Sequence, residues 1–112
     1  MSRLLEFREK LLDAQSALNA SGSVNVPFSG NFKAYINWGA GVTAGKVAVY
    51  EAHDKDYAGT WFKIAEVDFV ADGQSASSTF PITQGTYPYG ALKFTITDAI
   101  VGGTVDAWLL GT

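Results

Sequence analysis

The chain contains no cysteine. A disulfide scaffold and thiolate-based metal sites are therefore excluded, and the fold has to stand on packing or on association. Histidine is nearly absent as well, with His53 alone. One histidine without cysteine supplies too few ligands for zinc. No nucleophile elbow accompanies it, so a hydrolytic triad has no visible basis. Lysine and arginine together number 8 against 11 acids, and no basic patch is visible, which argues against nucleic-acid phosphates as a partner. No stretch approaches the ~20 apolar residues of a membrane span. The N-terminus is charged and amphipathic and does not read as a signal peptide. These absences point to a protein made in a cytosol, with no cofactor, no membrane and no nucleic acid among its partners.

What is present is apolar and β-leaning. Hydrophobic residues make up 47% and aromatics 13%, while charged residues are held to 17%, a folded composition and not a disordered one. The 112 residues suit one domain with a small core. Residues 1–22 balance Arg3, Arg8 and Lys10 against Glu6, Glu9 and Asp13, so the remainder carries the whole formal charge of −3.

The period of the apolar residues changes near Gly22. Before it, Leu4, Phe7, Leu11, Ala14 and Leu18 fall at intervals of 3, 4, 3 and 4. That spacing predicts an amphipathic helix over residues 1–22, with Ser2 as N-cap and Gly22 as a left-handed C-cap. An isolated helix of this length is marginal in water, so its stripe has to lie on the chain's own sheet or on another chain. After Gly22 the residues alternate. Val24, Val26 and Phe28; Phe32, Ala34, Ile36 and Trp38; Val47 and Val49; Trp61 to Val70; Ser78 to Ile82; Leu92, Phe94 and Ile96; and Val105, Ala107 and Leu109 mark about seven strands. Gly39-Ala40-Gly41, Ala71-Asp72-Gly73-Gln74 and Gly102-Gly103 supply turns. The expected fold is mainly β: an antiparallel sandwich or jelly roll over 23–112, preceded by one helix.

Few residues offer chemistry. Glu51, Asp54 and Asp56 could gather around calcium, but Lys55 sits among them and the spacing is not that of an EF-hand, so a solvated acidic turn is the simpler reading. Glu66 and Asp68 share a strand face about 7 Å apart, a spacing that solvent-facing charges explain without a glycosidase cleft. Trp38 shares a face with Phe32 and Ile36 and reads as core. Tyr57, Trp61 and Tyr89 are candidates for stacking on a ligand. Trp108 alternates out of phase with Val105, Ala107 and Leu109, which suits an interface anchor.

Three segments carry a resemblance. Ala58-Gly59-Thr60-Trp61 resembles a Gly-Thr-Trp strand entry. Tyr87-Pro88-Tyr89-Gly90-Ala91-Leu92-Lys93-Phe94 resembles an aromatic-rich strand, and Gly102-Gly103-Thr104-Val105-Asp106-Ala107-Trp108-Leu109 a terminal hairpin. Together they resemble small β-sandwich virion proteins of tailed phages, over roughly residues 45–112. The resemblance implies a non-enzymatic structural protein: a capsid decoration (cement) protein, often a homotrimer on the capsid surface clamping the major capsid protein, or a head-fibre or tail component. It brings no catalytic residues and says nothing of residues 1–22. The residues expected at an oligomer or capsid interface are Leu4, Phe7, Leu11, Leu18 and Trp108. The alternative is a carbohydrate-binding or receptor-facing module using Tyr57, Trp61 or Tyr89. An enzyme is the weakest of the three readings.

Overall fold

The computed structural model describes residues 7–26, 32–38, 41–69, 77–82 and 90–111, with positions 7, 32–33 and 77–82 described by backbone alone. The described residues form eight strands: β1 (Phe7–Gln15), β2 (Ser21–Asn25), β3 (Phe32–Trp38), β4 (Ala44–Ala52), β5 (Phe62–Asp68), β6 (Ser77–Ile82), β7 (Ala91–Val101) and β8 (Val105–Gly111). They make two four-stranded sheets, ordered β1-β8-β3-β6 and β2-β7-β4-β5, with every pairing antiparallel.

The order has a simple origin. β1 pairs with β8, β2 with β7, β3 with β6 and β4 with β5. The chain is thus one long hairpin of four nested pairs, rolled up so that β3 also meets β8 and β4 also meets β7. That is a jelly roll, and the two-sheet antiparallel architecture agrees with the alternation in the sequence.

The core lies between the sheets. Leu12, Ala34, Ile36, Trp38, Val105, Ala107 and Leu109 face Val47, Val49, Val67, Leu92, Phe94 and Ile96, all of them buried. Burying a side chain of this size stabilises the fold by roughly 1.5–3 kcal/mol. Trp38 stacks on Phe69 with ring centroids 4.5 Å apart, as its core assignment requires.

The expected N-terminal helix is not there. Among the described residues there is no helix, and Phe7–Gln15 is a strand whose backbone pairs with β8 from Phe7↔Gly111 to Gln15↔Val105. The register explains the error. Lys10 lies opposite Trp108, yet Leu12 lies opposite Ala107, so one extra residue is inserted. A second is inserted between Leu12 and Gln15, where Ala14 takes φ 50°. Two bulges in nine residues break the period of 2 and re-aim Leu12 into the core, where it is 1% exposed. What remained for a sequence reading was a helix-favouring composition with spacings of three and four. Gly22, expected as a helix cap, lies inside β2, where a Cβ would run into the backbone carbonyl of Leu11. Residues 16–20 instead carry the chain between sheets along β7: Asn19 N donates to Ile96 O at 2.8 Å, and Ile100 N to Ser16 O at 2.9 Å. Ser2, Pro27, Phe28 and the Ala71–Gln74 turn lie outside the described residues.

Candidate functional site: two outward sheet faces

Cross-strand partners share a face, so the register sorts the outward residues into rows. On the first sheet, Lys10, Trp108 and Tyr35 form one row across β1, β8 and β3. Trp108 is half-buried, back to back with Ala107 and Leu109 in the core. The Lys10 ammonium lies 5.2 Å from its ring centroid. The same ammonium pairs with Asp13 at 2.8 Å and Asp106 at 3.4 Å. Its pKa is raised above 10.5, first by the hydrogen bond to Asp13; loss of solvation is the next largest effect and opposes the rise, and the fields of Asp106 and Asp13 add to it. Asp106 Oδ1 also accepts from Ala14 N at 2.7 Å, which ties the second bulge of β1 to β8.

On the second sheet, Ser23, Lys93, Tyr50 and Lys63 form a row across β2, β7, β4 and β5. The next row is Asn25, Ala91 and Ala52. The β4–β5 loop, residues 53–61, crosses this face. It leaves β4 and reaches β2, two strands away, where Lys55 N donates to Asn25 Oδ1 at 2.9 Å and Ser23 Oγ donates to Lys55 O at 3.1 Å. It then returns to β5. On the return Trp61 comes to lie over β7, with the Lys93 ammonium 4.4 Å from its ring centroid and 5.7 Å from that of Tyr50. Trp61 Nε1 donates to Tyr57 O at 2.9 Å, which fixes the indole relative to the loop. Tyr57 is exposed and tilts against His53, ring centroids 4.7 Å apart. Gly59 leaves the space that the Tyr57 ring occupies.

The structure brings Tyr57 and Trp61 together on one face and adds two residues the sequence reading had not singled out, Tyr50 and Lys93. The alternation of Leu92, Phe94 and Ile96 placed Lys93 outward; Tyr50 meets it through the β4–β7 register, and Trp61 through the path of the β4–β5 loop. Trp108 lies on the opposite outward face. Leu11 is half-buried and packs on the core of its own sandwich, and Leu18 is exposed in the β1–β2 connection. Phe7 is placed in β1 by its backbone; Leu4 and Tyr89 lie outside the described residues.

The acidic candidates do not converge. Glu51 is buried on the core side of β4, level with Leu92. Asp54 accepts from Asp56 N at 2.9 Å in the loop, and Asp56 pairs with Lys55. Glu66 pairs with Lys63 at 3.1 Å, and Asp68 with Lys46 at 3.8 Å. Among the described residues no three metal-ligating side chains gather, and no helix is long and apolar enough to cross a membrane.

No family model and no curated protein matches the sequence. The fold does have solved counterparts. The C-terminal CBM6 of LamC, a marine laminarinase from Zobellia galactanivorans, superposes with a TM-score of 0.54 at 14% identity, covering 95% of this chain and 100% of that one. The SPBc2 prophage-derived protein YomS superposes with a TM-score of 0.54 at 10% identity, covering 100% of this chain and 99% of that one. The β-sandwich is therefore shared, end to end, with a carbohydrate-binding module and with a prophage-derived protein.

Proposed function

We propose that the chain is a non-enzymatic virion protein of a phage, a jelly-roll module that acts by binding a surface. The observation that carries this reading is the gathering of Tyr50 and Trp61 around Lys93 on one outward face, with exposed Tyr57 in the loop that holds Trp61. Aromatic rings held at a surface by a pinned loop are binding equipment, since they present large contact area at little cost in side-chain freedom. The likeness to a prophage-derived protein over both full lengths supports the phage setting, and that to a carbohydrate-binding module supports a contact role for such a sandwich. The test is to probe gradient-purified particles of the encoding phage with a serum against this chain. Labelled particles are expected; recovery in the soluble lysate alone would overturn the virion reading.

Capsid decoration is a second reading, favoured by Trp108 beside Tyr35 on the other outward face. A homotrimer seated on the major capsid protein would bury that face. Light scattering checks it: a trimer mass that falls to a monomer in Trp108→Ala supports trimerisation there, and a monomeric parent removes it.

A further inference from the structure

Five lysines have described side chains, and four of them are neutralised. Lys10 meets Asp13 and Asp106; Lys46 meets Asp68 and Asp98; Lys55 meets Asp56; Lys63 meets Glu66. Lys93 is the exception. Among the described residues it has no carboxylate within ion-pair distance, and its ammonium lies over the ring of Trp61 and, farther off, that of Tyr50. In a protein of net charge −3, no acid among the described residues matches this cation, which lies beside two rings of its aromatic face.

Ring faces attract the ammonium but do not neutralise it. They fix its position in the sheet and leave its remaining N–H donors to a partner from outside. An anion is the partner whose charge complements that position. The flanking surface says what kind of anion. Tyr57 is exposed, with its ring beside His53 and over Gly59, and an exposed tyrosine ring is suited to the C–H face of a pyranose. The polar rim of Ser23, Asn25 and the loop backbone suits hydroxyl groups. A bare inorganic ion would leave the rings without use.

We infer that this face binds a saccharide bearing an acidic group, its carboxylate or phosphate on Lys93 and its sugar ring against Tyr57 and the edge of Trp61. The inference rests on the proposed binding role and names the ligand class for it.

The test is retention of the full chain, in affinity electrophoresis, by polygalacturonate, by uncharged dextran and by polyphosphate. Retention by polygalacturonate, weakening with added salt, is expected, with dextran and polyphosphate giving little. Lys93→Gln should weaken retention about tenfold, the loss expected for one charge-assisted hydrogen bond. Lys93→Arg keeps charge and ring contact and should stay within a few-fold of the parent. Lys10→Gln should change little, because Lys10 is already paired and lies on the other sheet. Equal retention of Lys93→Gln and parent, equal retention by dextran, or equal retention by polyphosphate would each overturn the inference. No retention by any polymer, with the chain still found on particles, would overturn it while leaving the virion reading standing.

Discussion

The two outward faces use the same pair of residues to different ends. Each places a lysine over a tryptophan: Lys10 over Trp108 on the first sheet, Lys93 over Trp61 on the second. Lys10 has two carboxylates, and one of these, Asp106, also holds the Ala14 amide. Its charge is engaged in fixing β1 to β8. Lys93 has rings and no described carboxylate. A cation over a ring is therefore not informative by itself. What separates a clip from a candidate ligand contact is whether an acid has already claimed the charge.

The sharpest way to break the comparison is to attack the first face from beneath. If β1 is a strand with Leu12 turned inward, Leu12→Ala removes a 1%-exposed side chain from the shared core and should cost about 2–5 kcal/mol. Leu11→Ala, on a half-buried position, should cost markedly less. Urea unfolding of both variants checks this ordering. A reversed order would mean that the register of β1 is wrong, and with it the assignment of Lys10 to the outward row.

Next in size is the clip itself. Asp106→Ala leaves Ala14 N without its acceptor and Lys10 without one carboxylate. The site is exposed, so the expected cost is about 1 kcal/mol and not the larger figure for a buried charged bond. Amide exchange should quicken along β1, and retention by polygalacturonate should not change. A loss of retention would show that the two faces are coupled.

The complementary change gives Lys93 what Lys10 has. Ser23 lies directly across from Lys93 in the β2–β7 pairing. Ser23→Asp should bring a carboxylate to the ammonium and weaken polygalacturonate retention about threefold relative to Ser23→Ala, in line with the modest worth of an exposed ion pair. Both variants lose the hydrogen bond to Lys55 O, so their difference isolates the charge. Equal retention of the two would mean that the charge of Lys93 is not what the ligand reads.

How far the sequence revealed this arrangement differs between the same two regions. The strands β2 to β8 were legible from alternation in the sequence, and Leu92, Phe94 and Ile96 or Val105, Ala107 and Leu109 are runs that the structure buries. The outward placement of Trp108 followed from the same alternation. β1 was not legible, because its two bulges erase the period and its strand state depends on β8, ninety residues away. Local preference for helix in Leu, Glu, Lys and Ala was overridden by tertiary pairing. The second face was half legible. Tyr57 and Trp61 stood out as aromatics near a loop, but the cation beside Trp61, Lys93, looked like any outward strand residue. Only the path of residues 53–61 across three strands makes it a neighbour of Trp61, and no local signal encodes that path.

The smallest expected effect concerns pH. The pKa of Lys10 is raised above 10.5, chiefly by its hydrogen bond to Asp13. A raised lysine pKa means that the folded state holds its proton more tightly than the unfolded chain does. Whatever the clip contributes is then fully present below pH 10.5 and is lost as pH rises through the folded value, so acidification toward neutrality should not weaken it. Lys10 is exposed, and the effect should be slight. It is best read as a difference: between pH 9 and pH 11.5, the parent should lose slightly more stability in urea than Lys10→Gln, which has no proton to lose there. Parallel curves would show that Lys10 contributes nothing to stability through its charge. The clip would then reduce to the bond between Asp106 and Ala14, and the contrast with Lys93 would rest on geometry alone.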